Sequence, residues 1–214
     1  MQPSFNRVRY AKRAAYDRDA VHAVLDAGVI AHVGFVADGR PMVIPMIYAR
    51  IGDMVYLHGA SKTRLVKLGA GAPLCLTVTL IDALVVARSG FHHSMNYRSA
   101  VLHGHGRAVT DAAERDAALA AITDHALPGR TAELRAPTAQ EIKATGVIAL
   151  EVDAASAKTR SGPPVDDAAD IAAGGWAGLV PFATVAGDPI SDAHSLSGAA
   201  LPGSVVKALA RHRA

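Results

Sequence analysis

Residues Val29–Arg50 read VIAHVGFVADGRPMVIPMIYAR. Two apolar, β-branched runs, Val29–Ala37 and Pro41–Arg50, flank Asp38-Gly39. An Asp-Gly pair between such runs is a strong hairpin signal, because both turn positions tolerate positive φ. The same grammar repeats outward from this hairpin. Gly52-Asp53 turns the chain into Met54–Leu57. Leu74, Leu76, Val78 and Leu80 alternate with Cys75, Thr77 and Thr79 in the manner of a half-buried strand, and Ala83–Arg88 is expected to pair back on it around Asp82. Ala100–Thr110 is a further strand, and Ile148, Leu150 and Val152 alternate with Ala149, Glu151 and Asp153 in another.

Helical signals are few. Asp17-Arg18-Asp19 caps a short helix with Val21, Val24 and Leu25 on one face and Gly28 as its stop. Ser61–Leu68 has helical composition and ends at Gly69. Asp111-Ala-Ala-Glu114 opens a third helix, with Leu119 and Ile122 inward and Pro128-Gly129 closing it. After about residue 161 the chain is Gly/Pro/Ala-rich and reads as an extended tail with a short helix near Ser204–Arg211. Many short strands without regular β-α alternation predict a mainly β fold, an antiparallel barrel with a few helices. Gly69-Ala70-Gly71 follows a helix and lacks the third glycine of a dinucleotide fingerprint, so a doubly wound sheet is not expected.

The chain has 214 residues, half of them apolar and 19% charged. That predicts one domain with a substantial core, an N-terminal arm over about 1–16 and a C-terminal tail over about 162–214. Cys75 is the only cysteine, so no disulfide forms within the chain. Its apolar surroundings read as a buried structural thiol in a cytoplasmic protein. The N-terminus lacks the apolar core of a secretory signal, and no run reaches the length of a membrane span. Net charge is +3 with ten histidines. The basic opening Arg7, Arg9, Lys12 and Arg13, interleaved with Tyr10 and Tyr16, reads as an arm over a partner subunit; nucleic-acid domains present a broader basic face.

Chemistry concentrates in two polar, cationic segments. HGASKTRL at 58–65 places Ser61, Lys62, Thr63 and Arg64 at a strand-to-helix junction. Two readings fit it equally, an anion site at a helix N-terminus or an ordinary cap with solvated neighbours. RSGFHHSMNYRSAVLHGHGR at 88–107 crowds Ser89, His92, His93, Asn96, Arg98 and Ser99 where a core strand has no use for them. His92 and His93 are adjacent, so on extended backbone they cannot both face one ligand. His103 and His105 share a strand face, but no third ligand accompanies them, and no metal site is expected. Neither G-x-S-x-G nor H-E-x-x-H is present, which leaves hydrolase chemistry without an anchor.

With DGRPMVIPMIY at 38–48, YLHGASK at 56–62, ARSGFHHSMNYRSAVLHGHGRAV at 87–109, SAKTRSGPP at 156–164 and WAGLVP at 176–181, the chain resembles the pyridoxamine 5'-phosphate oxidase-like, FMN-binding split β-barrel proteins, in particular their flavin-nucleotide-binding subfamily. The resemblance covers about residues 10–185. It implies a split antiparallel β-barrel of the FMN-binding type, a homodimer, and FMN held between the two subunits. It implies that Val43, Ile44, Pro45 and Met46 line the flavin ring and that His58, Ser61 and Lys62 surround its phosphate. In the second segment Ser89, Asn96, Tyr97, Arg98 and Ser99 are the cofactor-binding candidates. Arg98 would offer its planar fork to a phosphate or a flavin carbonyl, Asn96 or Ser99 would meet the pyrimidine edge, and Tyr97 would cover an aromatic face. Lys158, Arg160 and Trp176 match later motifs of the subfamily without an assigned role.

The function this implies is a flavin-dependent oxidoreductase acting on an unidentified small molecule, with the flavin supplying the chemistry and the protein positioning the substrate. Two alternatives stay open, a non-catalytic flavin- or haem-binding module and a nitroreductase-like resistance protein. The histidines of Phe91–Tyr97 keep haem among the ligands, since an exposed imidazole can ligate iron. Oxidation of pyridoxamine phosphate itself is not expected, because Pro41–Met46 lacks the basic residues that would hold the substrate phosphate.

Overall fold

The computed structural model describes residues 3–68, 71–196 and 198–212, the side chain of Leu68 excepted. Gly69 and Ala70, expected as a helix stop and part of a glycine pair, lie outside the described residues. Along the chain come β1 (Ala14–Ala15), α1 (Arg18–Ala27), β2 (Ile30–Ala37), β3 (Arg40–Ile51), β4 (Met54–Ala60) and α2 (Arg64–Leu68). They are followed by β5 (Ala72–Val86), β6 (Ser94–Ala108), α3 (Ala112–Ala126), α4 (Ala139–Ala144), β7 (Thr145–Arg160), α5 (Ala168–Ala173), β8 (Gly178–Pro181) and α6 (Gly203–Arg211). The strand order is β1-β7-β4-β3-β2-β5-β6, and β7 pairs with β6 as well, closing six strands into a ring. This is a split antiparallel β-barrel. No helix among the described residues is long and apolar enough to cross a membrane.

The opening hairpin forms as expected. Asp38 and Gly39 take φ of 53° and 71°, the two left-handed residues of a type I′ turn. On β2, Ala31, Val33, Phe35 and Ala37 are buried in alternation. Removing a side chain of valine or phenylalanine size from water contributes about 1.5–3 kcal/mol. Strand β3 behaves differently: over Pro41–Ile47 no side chain is fully buried, and Val43 is 66% exposed.

Several expectations are corrected. Asp82 is not a turn, since β5 runs unbroken from Ala72 to Val86. Leu74, Leu76 and Val78 are buried before it, and Ala83 and Val85 after it. The inward parity therefore slips by one residue across 79–82, which in the sequence imitates two strands meeting at a turn. The strand expected over Ala100–Thr110 is β6, which starts earlier, at Ser94, and ends at Ala108. Apart from these corrections, the N-terminal arm makes contacts within its own chain: Asn6 Nδ2 donates to the Ala155 carbonyl at 2.9 Å, and Ala14 pairs with Lys158. The tail carries more order than expected, because β8 pairs with β5 (Leu84 opposite Val180). Helix α4 was not expected. Its signal is Thr138-Ala-Gln-Glu141, a capping box whose two reciprocal hydrogen bonds are both formed.

The chain divides into two compact units. One comprises Met1–Pro45, Pro73–Gly104 and Val152–Ala183, the other Met46–Ala72, His105–Glu151 and Thr184–Ala214. In the first, Asp17 caps α1 by accepting from the Ala20 amide at 2.9 Å, and Val21, Val24 and Leu25 are buried. Gly28 ends that helix with φ of −81°, so it serves without the left-handed conformation usual for a terminal glycine. In the second, Ala49, Tyr56, Ala118, Ile122, Val147 and Ala149 form a core on which Leu119 packs. The Tyr56 hydroxyl donates to Glu114 at 2.9 Å, and Arg107 holds the same carboxylate at 2.6 Å. Glu133 caps α6 from a distance, accepting from the Ser204 amide at 3.0 Å and hydroxyl at 2.6 Å.

Candidate cofactor-binding site

In the first unit the sequence-singled segment becomes the start of β6 and the turn before it. Asn96 is only 6% exposed. Its Nδ2 donates to the Gly162 carbonyl at 3.1 Å, and its side-chain oxygen accepts a short hydrogen bond from Arg160 Nη1. Arg160, at the end of β7, is 8% exposed. Its other acceptors are the carbonyls of Gly162, at 3.2 Å, and Pro163, at 3.4 Å. Its Nε is buried with no hydrogen-bond partner, and no carboxylate pairs with it among the described residues. Burial first and the charge of Arg13 second pull its pKa below the ordinary guanidinium value. A buried cation without a counter-ion is costly. Such a group fits an oxyanion.

The neighbouring residues extend this cationic corner. Lys158 Nζ lies 5.5 Å from the centre of the Tyr97 ring, and Ser99 Oγ approaches the Lys158 carbonyl at 3.4 Å. Arg13 stacks over Tyr10 at 5.2 Å. Arg98, by contrast, spends its fork on Asp82, with Nη2 at 2.7 Å and Nε at 3.1 Å from the carboxylate oxygens. That hydrogen bond raises its pKa despite partial burial.

The turn before β6 is clamped from the other side. The Arg88 amide and guanidinium both reach Asp166, at 2.9 and 2.8 Å. Burial pushes the Asp166 carboxyl up, but these Arg88 contacts outweigh it and hold the group below its ordinary value. His93 Nδ1 lies 2.8 Å from the Ser89 carbonyl, and His92 Nε2 lies 3.3 Å from Asp167. Ser89 Oγ is buried without a partner.

The second unit contains the other half of the predicted site. His58 sits on β4 opposite Val147, with Nδ1 buried and unpartnered. The Ser61 amide donates to the Ala144 carbonyl at 2.8 Å and the Thr63 amide to Ala60 at 2.9 Å. Helix α2 begins only at Arg64 and is five residues long, and two of the amides at this junction, those of Ser61 and Thr63, are already paired. Ser61 keeps only its side chain for a ligand. On β3, Val43, Ile44 and Pro45 belong to the first unit and Met46 to the second; Val43 and Pro45 are exposed, Ile44 and Met46 half-buried, and none of the four is charged. The structure thus gathers Asn96, Tyr97 and Ser99 with Lys158 and Arg160 in one unit, and His58, Ser61 and Lys62 in the other.

Arg160, Lys158 and Arg13 were not among the predicted site residues. The signal for Lys158 and Arg160 is the K-x-R spacing at the end of β7, whereas Arg13 is brought to this strand only by the pairing of the next residue, Ala14, with Lys158. Cys75 is half-buried rather than buried, and burial raises its thiol pKa, which leaves it unreactive. A groove of about 660 Å³ along α3 is lined by Leu119, Thr123, Leu134, Pro137, Arg135 and Glu141 among others, and by none of the predicted site residues. Its Arg135 is paired with Glu141 at 2.6 Å, which holds that carboxyl down at about 2.

The fold and the cationic corner define a split-barrel protein equipped for an anionic ligand. The family described as pyridoxamine 5'-phosphate oxidase matches residues 17–159, and the chain belongs to that family. It is similar to the flavocytochrome Anf3 from Azotobacter vinelandii, at 39% identity over 96% of each chain with a TM-score of 0.89. It is also similar to the FAD and heme binding protein from Mycobacterium smegmatis, at 41% identity over 91% of this chain and 96% of that one, TM-score 0.87. A putative 5-nitroimidazole antibiotic resistance protein from Bacteroides thetaiotaomicron VPI-5482 shares the fold at 20% identity and a TM-score of 0.56. No curated protein matches the chain.

Proposed function

We propose that this protein binds a flavin nucleotide and a haem and works as a redox protein. The observation that carries this reading is the buried Arg160 guanidinium, ready for an oxyanion and lacking a carboxylate, in a chain about two-fifths identical to a flavocytochrome and to a FAD and heme binding protein. A flavin exchanges electrons in pairs or singly and a haem singly, so the pair of cofactors joins a two-electron donor to a one-electron acceptor. Arg160 and Lys158 would hold the phosphate charge, Asn96 would keep the guanidinium aimed, and Tyr97 would offer a ring face. Relatedness to the Mycobacterium protein favours FAD over FMN as the flavin. An oxidoreductase acting on a small molecule follows from this reading. Pyridoxamine phosphate is a poor candidate, because β3 over Pro41–Ile47 carries no cation to hold its phosphate.

The working unit in this reading is a homodimer in the cytoplasm. The uncovered row Pro41, Val43, Pro45 and Ile47 on β3 is an apolar strand face that water leaves unfavourably solvated and a second copy would cover. The visible spectrum of the freshly purified protein tests the cofactors. Flavin bands together with a Soret band are expected, with FAD as the flavin released on denaturation. Release of FMN alone would return the nucleotide to the family's simpler form. A colourless protein that ignores added FAD, FMN and haemin would overturn the reading.

A further inference from the structure

We infer that His93 ligates the haem iron, an inference that rests on the haem-binding reading above. An imidazole that binds a metal offers one nitrogen's lone pair and has its other N–H fixed by a carbonyl or carboxylate. His93 has this arrangement. Its Nδ1 is 2.8 Å from the Ser89 carbonyl oxygen. A carbonyl only accepts, so Nδ1 carries the hydrogen, and in the neutral ring the lone pair lies on Nε2. The carbonyl is itself held in place, because it also accepts from the His92 amide at 3.2 Å, and Arg88 beside it is clamped to Asp166. His93 is exposed, which leaves Nε2 open to a large planar ligand.

The adjacent imidazole is set differently. His92 turns Nε2 toward the Asp167 carboxylate at 3.3 Å and stacks edgewise on Phe91, with ring centres 5.1 Å apart. That nitrogen is buried beside the carboxylate and so closed to a large planar ligand. The surroundings of His93 suit a porphyrin. Phe91, two residues before it, is 91% exposed, and Met95, two after it, is 41% exposed. Val165, next to the clamping Asp166, is exposed as well. These apolar surfaces gain by covering a macrocycle. A bare metal ion does not fit, because among the described residues no three histidine, cysteine or carboxylate side chains stand close enough to hold one. Haem brings four nitrogens of its own and needs only one or two protein ligands.

Titration of the full-length protein with haemin, followed through the Soret region, tests this. Wild type and His92→Ala should give the same shifted band. His93→Ala should lose the shift, bind haemin at least about tenfold more weakly, and recover the band when free imidazole fills the vacated position. Unchanged flavin content and circular dichroism would show that His93→Ala is folded. If that variant does not fold, His93→Cys serves instead: a thiolate ligand moves the ferrous carbonyl band, an effect no folding defect produces. Haemin uptake by wild type with an identical spectrum in either His93 variant overturns His93 as the ligand and leaves the haem reading standing. A wild type that takes up no haemin overturns both.

Discussion

The guanidinium of Arg160 and the carboxamide of Asn96 hold each other in the first unit. Nη1 donates to the Asn96 oxygen, and both side chains converge on the Gly162 carbonyl, from 3.2 and 3.1 Å. A neutral amide thus does the work a carboxylate would do in a buried ion pair, and the positive charge stays available to a ligand.

Asn96→Ala removes an acceptor and leaves the charge buried, so it should cost about 2–3 kcal/mol in urea unfolding of the cofactor-free protein. Arg160→Met removes the charge together with the bonds and should cost less. Both should weaken flavin binding. If Arg160→Met binds flavin as tightly as wild type, Arg160 is not the oxyanion anchor.

Tyr56, Glu114 and Arg107 make a pH-dependent brace in the second unit. Arg107 first and then Tyr56 hold the Glu114 carboxyl below its ordinary 4.5, despite some burial. Burial first and Glu114 second raise the Tyr56 hydroxyl above 10.0. The lowered carboxylate contributes fully above its unfolded value and loses its contribution as pH falls through the folded one. The raised phenol contributes below its unfolded value and loses its contribution as pH rises through the folded one. Tyr56→Phe should therefore lose about 1 kcal/mol near neutral pH and progressively less toward both extremes. Urea midpoints across the pH range give the comparison, and a constant gap would contradict the brace.

The hairpin turn at Asp38-Gly39 requires left-handed backbone at both positions. Gly39→Ala should destabilise by about 1–2 kcal/mol, and Asp38→Asn should be nearly neutral, since asparagine visits this region readily. Thermal melts of the two variants separate the outcomes.

Gly146 on β7 leaves no room for a methyl group, because a Cβ there would run into the Val66 side chain of α2. Gly146→Ala should cost about 1–3 kcal/mol through overpacking. Combining it with Val66→Ala should recover most of the loss. A double variant no better than the single one would place the strain elsewhere.

Val43→Asp puts a charge on the uncovered face of β3, where the side chain is 66% exposed. A lone exposed valine tolerates this change, but a subunit interface does not. Light scattering should show wild type at twice the chain mass and the variant at one chain mass. A monomeric wild type would end the dimer proposal.

The sequence by itself determined the strands and turns that local chemistry dictates. Asp38-Gly39 announces the hairpin, Asp17 and Asp111 announce helix starts, and the alternation of Leu74, Leu76 and Val78 announces a strand, because each follows from backbone sterics, capping or a two-residue period. The motifs from HGASK to SAKTR were enough for the family. Tertiary structure alone decided the rest. It decided that Asp82 continues a strand, since pairing partners absorb a parity slip that sequence reads as a turn. It decided that Arg98 is spent on Asp82, that Asn96 is turned inward to Arg160, and that His93 is exposed while the Nε2 of His92 is buried beside Asp167. Each of these depends on which polar group stands opposite, residues 16 and 64 positions apart for the two arginines, or on which neighbour takes one ring nitrogen, and a chain read in order carries no record of those meetings.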